Sequence, residues 1–266
     1  MPDKTIELVN AVKDIHAMPS VIVKALNIMK KPTASMKELG DIVMYDQSLT
    51  IKILALVNSA YYGFSQQISS INIALSLLGM VKVKNIIVAV AMKPMMSNQG
   101  DKELWKHSMR VAAGCEYLAN LTKVMDSDEA FIAGFVHDVG KIVLHMSNDK
   151  MYARVLKAVE EGSDIIDAER KYFDSDHIKT GSLLAKRWQL PILLANIISY
   201  HHTPSLSSIP VPCNLVCLVD KVVQDIFRPE TIDKDFLKTL GIDFADIEEL
   251  RKAILQKAEV LISELT

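Results

Sequence analysis

Apolar residues recur at helical spacing along nearly the whole chain, and the apolar–polar alternation of a half-buried strand is rare. One segment carries this pattern together with a helix start signal. Ser35 precedes an apolar face formed by Leu39, Ile42 and Val43, and Glu38 stands three residues after the serine, as in a capping box. The sequence therefore predicts an all-α fold.

Glycine and proline indicate where individual helices end. We predict helices over 71–78 and 81–92, with Gly79 between them and Pro94 ending the second. A continuous run of apolar residues predicts one further helix over 128–144. This last helix would be buried on most of its sides.

A short polar segment containing a glycine, residues 95–101, is the best candidate for a boundary between two lobes. We therefore expect a two-lobed arrangement with three units along the chain. They are an N-terminal helical lobe over 1–96, a second helical lobe over 97–228, and C-terminal helices over 229–266 packed on the core.

Charge and cysteine content restrict the partners and the compartment. The net charge of −2 gives none of the basic excess that a nucleic-acid or anionic-membrane surface needs, so neither partner is expected. The most apolar stretch, 71–92, is interrupted by two lysines and an asparagine and is too short to span a bilayer. We find no signal-peptide pattern, and three cysteines without an even framework indicate a reducing cytoplasm. Cys213 and Cys217 are interpreted as core residues, with a thiolate metal pair as the alternative.

Histidines and aspartates stand in or beside apolar helical segments of the second lobe. They are His107, His137, Asp138, His177, His201, His202 and Asp220. A buried charge without a partner is costly, so this placement calls for hydrogen bonds, ion pairs or a metal. Each residue alone has an ordinary interpretation as a core histidine, a helix cap or an ion-pair partner. Their joint occurrence indicates a site for one or two divalent ions of the Fe, Mn, Zn or Ni kind.

Several motifs follow one another between residues 5 and 225. They are Met18-Pro19, Asp46-Gln-Ser-Leu49, Asn58-Ser-Ala-Tyr-Tyr-Gly63, Ile71-Asn-Ile-Ala74, Trp105-Lys-His107, His137-Asp138-Val-Gly-Lys141, Trp188-Gln-Leu-Pro191 and His201-His202-Thr-Pro204. This order resembles the HD superfamily of metal-dependent phosphohydrolases and, within it, the HDOD family, the HD-related output domain of bacterial signalling proteins. One departure is Gln47, where the family usually has proline.

The resemblance implies two adjoining metal positions. The first position would take His107, His137, Asp138 and Asp220, and the second would take His177, His201 and His202, with Asp138 bridging the two. Lys141 matches the lysine that helps to bind phosphate in catalytic relatives, so Asp138 and Lys141 are the candidate catalytic residues. Glu103, one helical turn before His107, is a weaker candidate for a further carboxylate ligand.

Two functions remain open at this point. The resemblance to the HDOD family favours a regulatory signalling protein that docks a partner through its N-terminal lobe and retains a metal site. The ligand set and Lys141 favour the alternative, a metal-dependent phosphohydrolase or phosphodiesterase that binds a phosphate or nucleotide ligand. No Gly-Tyr-Pro follows His202, so the chain does not resemble the HD-GYP branch that cleaves cyclic di-GMP. A metal-free hydrogen-bond network is a third interpretation.

Overall fold

The structure of the protein, a computed structural model, describes residues 3–12, 24, 35–44, 46–59, 61–96 and 103–266. The all-α prediction is confirmed, since no strand occurs in these ranges. The α-helices, in chain order, are α1 Lys4–Ala11, α2 Met36–Met44, α3 Gln47–Val57, α4 Ile71–Met96, α5 Glu103–Thr122, α6 Ser127–Val136, α7 Val139–Ser147, α8 Asp149–Glu160, α9 Ile165–Phe173, α10 His177–Arg187, α11 Ile192–Tyr200, α12 Pro210–Val222, α13 Lys234–Thr239 and α14 Ile247–Leu265. Short 3₁₀ turns at Pro204–Leu206, Pro229–Thr231 and Phe244–Asp246 connect some of them.

Local capping signals account for several helix starts. The capping box before α2 forms as predicted, because Glu38 N donates to Ser35 Oγ at 3.3 Å and Ser35 N donates to the Glu38 carboxylate at 3.4 Å. Asp46 Oδ1 accepts from Leu49 N at 3.0 Å and begins α3 in the same way. The sequence also predicts a break at Met18-Pro19 and a helix over 20–29, and apart from Lys24 these residues lie outside the described ranges.

The loop after α3 is held by the side chain of Asn58. Its Nδ2 donates to Leu54 O and to Ile68 O, both at 2.8 Å, and its Oδ1 accepts from Ile68 N at 2.7 Å. One amide side chain thus joins the end of α3 to a segment ten residues away. The Asn58 motif has a structural role here, since it satisfies backbone groups that the irregular loop would leave without partners.

Helix α4 differs from the prediction at its end. The backbone departs from helical geometry at Gly79, with φ 78° and ψ 162°, as expected. Pro94 does not end the helix, which continues to Met96. The Pro94 ring removes one backbone hydrogen bond of the helix, and only two residues of the described helix follow it.

By length and composition, α4 is the one helix in the described ranges that could cross a membrane. Half of its apolar window is buried inside the protein. The helix is also broken at Gly79 and supplies the buried core residues Ile87 and Ala89. These features are those of a core helix, so length and composition are weak grounds for a membrane span.

The C-terminal helix α14 connects both halves of the chain. It packs against α5 and also against α3. Lys52 of α3 and Lys93 of α4 donate to the carbonyl oxygen of Leu265 at 2.6 Å and 3.0 Å. Cationic groups at this end of a helix satisfy its free carbonyls and interact favourably with its dipole.

The apolar segment 128–144 forms two helices, so the prediction of one continuous helix is wrong. Helix α6 ends at Val136 and α7 begins at Val139, and Asp138 between them has a non-helical ψ of 16°. Apolar residues continue on both sides of this break, which is why periodicity does not reveal it. The break places His137 and Asp138 at a helix junction.

Candidate metal centre

The seven predicted ligand residues converge on one place in the second half of the chain. They come from five parts of the fold: His107 from α5, His137 and Asp138 from the α6–α7 junction, His177 from the start of α10, His201 and His202 from the turn after α11, and Asp220 from α12. Residues far apart in sequence thus meet at the ends of several helices, where side chains can point toward a common centre.

Two glycines allow α7 and α10 to approach closely enough to bring Asp138 and His177 together. A Cβ atom on Gly140 would lie 1.9 Å from the carbonyl oxygen of His177 and 2.6 Å from the backbone nitrogen of Gly181. Such distances are far inside van der Waals contact, so only glycine fits at position 140. Thr180 Oγ1 donates to Gly140 O at 3.1 Å across the same contact.

Asp138 lies at the middle of the cluster and is almost completely buried, with 1% of its surface exposed. Its Oδ2 lies 3.3 Å from His137 Nε2 and 3.6 Å from His107 Nε2. Its Oδ1 lies 3.6 Å from the Nε2 atoms of both His177 and His201. Each oxygen of this carboxylate therefore faces a different pair of imidazoles.

The potential ligand atoms fall into groups that match the two implied positions. One group is His107, His137 and Asp220, another is His177, His201 and His202, and a third, overlapping group joins His137, Asp138 and His201; the atoms within each group lie within 4.8 Å of one another. The Nε2 atoms of His177 and His202 are 3.1 Å apart, as are His107 Nε2 and Asp220 Oδ1. Two ligands bound at about 2.1 Å to one ion lie roughly 3 to 3.4 Å apart. These spacings suit a shared ion.

Hydrogen bonding within the cluster leaves several ligand atoms free. Within the described ranges, no hydrogen-bond partner is found for the buried Nε2 atoms of His107, His137 and His201 or for Asp138 Oδ1. The Nδ1 atoms of His137 and His201 lie 2.7 Å and 3.0 Å from the carbonyl oxygens of Gly134 and Ile197. In its neutral form, a ring that donates from Nδ1 presents the lone pair of Nε2 to the cluster. Buried polar atoms without partners are rare, and a divalent ion would satisfy these.

The buried charges of the first group shift one another's pKa values. Burial lowers the pKa of His137, but the carboxylates of Asp138 and Asp220 outweigh this and raise it to about 10. Burial raises the pKa of Asp138, while His137 and Lys141 hold it well below its usual range. Both carboxylates thus remain ionised, since the neighbouring His107 and His137 rings also keep the pKa of Asp220 well below its usual range despite its burial.

The second group is electrostatically different. Burial, followed by the like charges of His201 and His177, lowers the pKa of His202 to about 3, and burial lowers that of His201. Neutral imidazoles are the form that binds a metal ion, so these rings are ready to act as ligands at neutral pH.

Glu169, which sequence reasoning missed, holds His177 in place. It belongs to α9, a helix that was also not predicted, and it is fully buried. Its Oε2 lies 2.6 Å from His177 Nδ1 and accepts from His177 N at 2.8 Å. A carboxylate behind a ligand histidine orients the ring and increases its basicity. The only available signal was one of several acidic residues in an amphipathic segment before His177, which is too common to select.

Lys141 lies beside the cluster, where the resemblance places it. Its Nζ is 2.5 Å from Asp138 Oδ2, and 18% of its side-chain surface is exposed. His107, His202, Asp220 and Lys141 are the partly exposed members of the site, whereas His137, Asp138, His177 and His201 are buried. The cluster is therefore open to solvent at these four residues.

The weaker candidates do not join the cluster. Glu103 is largely exposed and binds Lys106 Nζ at 2.8 Å. Cys213 is buried and Cys217 half-buried, and neither belongs to a potential metal group among the residues that the structure describes. Cys213 Sγ instead lies 3.3 Å from Ser207 Oγ. The interpretation of the two cysteines as core residues agrees with this arrangement.

Known proteins resemble this chain in sequence and in fold. Residues 15–204 match the family model of the HDOD domain. An HDOD domain protein of unknown function from Geobacter sulfurreducens has a TM-score of 0.83 with this chain at 22% identity, covering 98% of this chain and 97% of that one. A proposed phosphohydrolase from Shewanella amazonensis has a TM-score of 0.77 at 20% identity, covering 97% of this chain and 98% of that one. At these identities, the likeness concerns the fold.

A curated relative from Treponema pallidum, described as uncharacterized, is 24% identical over 202 residues. The match covers 73% of this chain and 39% of that protein, so this chain spans less than half the length of the relative.

Proposed function

Because the chain belongs to the HDOD family, we propose that it is a regulatory signalling protein that holds one or two divalent metal ions. One observation carries the metal site. Buried Nε2 atoms of three histidines and Oδ1 of Asp138 face one another without hydrogen-bond partners among the described residues. A metal-free network would leave these atoms unsatisfied at a considerable cost, whereas an ion satisfies them together.

The residues divide between two positions. His107, His137 and Asp220 would hold one ion and His177, His201 and His202 the other, with one oxygen of Asp138 directed to each. An imidazole-rich set with carboxylates suits Fe, Mn, Zn or Ni and disfavours Mg or Ca, which prefer oxygen ligands. A bound ion would supply a Lewis acid at this centre.

Metal analysis tests the proposal. Protein purified without chelators is expected to contain one to two Fe, Mn, Zn or Ni ions per chain by elemental analysis. The matched control is His145→Asn, which removes a histidine that lies outside the potential metal groups and 3.3 Å from Asp149; its metal content should equal that of the wild type. A wild-type protein that holds no ion, and takes none up after chelation and dialysis, would refute the metal site.

Metal uptake is expected to depend on pH. In the metal-free protein, the pKa of about 10 leaves His137 protonated at neutral pH, so that proton must leave before the ring binds an ion. Protons compete less as the pH rises, so between pH 6 and 9 the affinity of this position should increase about tenfold per pH unit. Calorimetric titrations in buffers of different ionisation enthalpy measure the affinity and the released proton. An affinity independent of pH would contradict this role of His137.

Lys141 supports a second candidate function, a metal-dependent phosphohydrolase or phosphodiesterase. Its ammonium group lies at the partly exposed side of the cluster, 2.5 Å from Asp138 Oδ2, where it could bind a phosphate or nucleotide ligand. Turnover of phosphodiesters or nucleotides that requires metal and disappears in Lys141→Ala separates this function from a purely regulatory one.

A signalling partner and a cytoplasmic location also belong to the proposal. The free state of Cys115, Cys213 and Cys217 supports a reducing compartment.

Ile73 and Leu77 lie four residues apart on α4, and each is about half exposed. This apolar surface supports docking of a protein partner on the N-terminal lobe.

A further inference from the structure

We propose that the two metal positions are unequal: the position of His177, His201 and His202 fills first, because Glu169 supports it and Lys141 opposes an ion at the other. This inference rests on the proposed metal site. It assigns Glu169 and Lys141 opposite effects on metal occupancy.

The two oxygens of Asp138 differ in what they already contact. Oδ2, which faces His107 and His137, has the Lys141 ammonium group at 2.5 Å. Oδ1, which faces His177 and His201, has no hydrogen-bond partner among the described residues. An ion that uses Oδ2 must share it with a cation or displace that cation, and an ion that uses Oδ1 meets no such competitor.

The histidines also differ in what lies behind them. His137 and His201 have the neutral carbonyl oxygens of Gly134 and Ile197 beside Nδ1. His177 has the Glu169 carboxylate at 2.6 Å from Nδ1, and that carboxylate is completely buried. A negative charge behind the ring strengthens its Nε2 as a ligand and holds its orientation, so Glu169 is a positioning residue of the second position.

The local charge also favours binding of the first ion at the position of His177, His201 and His202. At the first position, the ammonium group of Lys141 already pairs with Asp138 Oδ2 and offsets part of the negative charge there. At the second, the negative charge of Glu169 is buried, and its Oε1 has no hydrogen-bond partner within the described ranges. The nearby Arg170 is turned toward Asp176, with Nε 2.8 Å from its carboxylate. A divalent ion bound to His177 would therefore compensate the buried charge of Glu169, a carboxylate that an ion at the first position would not approach through its ligands.

The experiment is a titration of chelator-stripped full-length protein with Co²⁺. Calorimetry resolves the successive Co²⁺ binding steps and their affinities. Visible absorption reports the coordination of the bound Co²⁺, and elemental analysis after gel filtration gives the number of ions per chain. We expect the wild type to bind one ion at least about tenfold more tightly than a second, or only one. In Lys141→Met, the weak step should strengthen about tenfold or appear where it was absent, and the tight step should stay within about twofold. Glu169→Gln should weaken the tight step about 10- to 100-fold and leave the weak step unchanged.

Two further variants assign the steps to positions. His202→Ala should remove the tight step, and Asp220→Asn should remove the weak one. Lys238→Met is the control for the loss of a lysine charge, because Lys238 is largely exposed and its partner Asp235 lies on the surface of α13; it should bind like the wild type. Lys141 and Asp220 lie at the exposed side of the site, so these two variants keep the test valid if Glu169→Gln fails to fold.

The outcomes separate this inference from the proposed function. Two equal steps in the wild type, or a Lys141→Met variant that titrates like the wild type, would overturn the inference and leave the metal site intact. Loss of the tight step in Asp220→Asn would reverse the order of filling and overturn it as well. A wild type that binds no Co²⁺ would instead remove the proposed metal site itself.

Discussion

The Asp138→Ala variant is expected to lose metal at both positions. Within the described part of the chain, Asp138 is the one carboxylate that faces both groups of histidines, with Oδ2 near His137 and Oδ1 near His177. Removing it takes a ligand from each position and leaves the Lys141 ammonium group without its partner at the cluster. The affinity should fall more than about 100-fold, since loss of an outer partner alone costs 10- to 100-fold.

Two measurements check this loss. Elemental analysis should find less than one ion per chain, and added metal should no longer raise the Tm. In the wild type, metal at 100 times its Kd should raise the free energy of unfolding by about 2.7 kcal/mol, and the Tm should rise accordingly. Asp235→Ala is a suitable control, since its side chain is 93% exposed and lies on α13, outside the potential metal groups. An Asp138→Ala protein that still holds wild-type amounts of metal would contradict the bridging role.

Gly140→Ala is expected to have the largest effect on stability. The added Cβ would lie 1.9 Å from His177 O and 2.6 Å from Gly181 N, and both of these are backbone atoms. Helices α7 and α10 must therefore move apart, at a cost of about 3 kcal/mol, which exceeds the gain of up to about 1 kcal/mol in helix propensity. Urea denaturation of the metal-free protein measures the loss. Because His177 moves with α10, the second metal position should weaken as well.

Gly40→Ala is the matched control for this substitution. Gly40 is also a buried helical glycine, but among the described residues its added Cβ would meet side-chain atoms, Leu75 Cδ1 at 3.1 Å and Asn72 Oδ1 at 4.0 Å. The end of a leucine side chain can shift by a few tenths of an ångström, so the change in stability should stay within about 1 kcal/mol. Equal losses in the two variants would show that the close approach of α7 and α10 does not depend on Gly140.

Sequence patterns predicted the parts of the fold that depend on neighbours in the chain. The capping box of Ser35 and Glu38 and the break at Gly79 each involve groups within about four residues. Such signals are read directly from residue types and spacing. Pro94 was read as a stop because its position relative to the last turn of α4 was not known.

The candidate site was predictable in its membership and not in its geometry. All seven candidate ligand residues were selected from their buried contexts and from the family resemblance, and the structure brings them together. Glu169 was missed, because an acid on an amphipathic helix carries no sign of the histidine it will contact. The non-helical backbone at Asp138 was missed because the apolar pattern runs through it without change.

The sequence by itself determined the all-α class, the helix caps and the identity of the imidazoles and carboxylates that stand in apolar segments. Only the tertiary structure decided that Asp138 divides its two oxygens between two groups of histidines, that Lys141 contacts one of these oxygens, and that Glu169 supports His177. The physical reason is the distance along the chain over which each interaction acts. Helical periodicity and capping act over a few residues, whereas the site depends on the close approach of α7 and α10 at Gly140, which separate parts of the chain produce together.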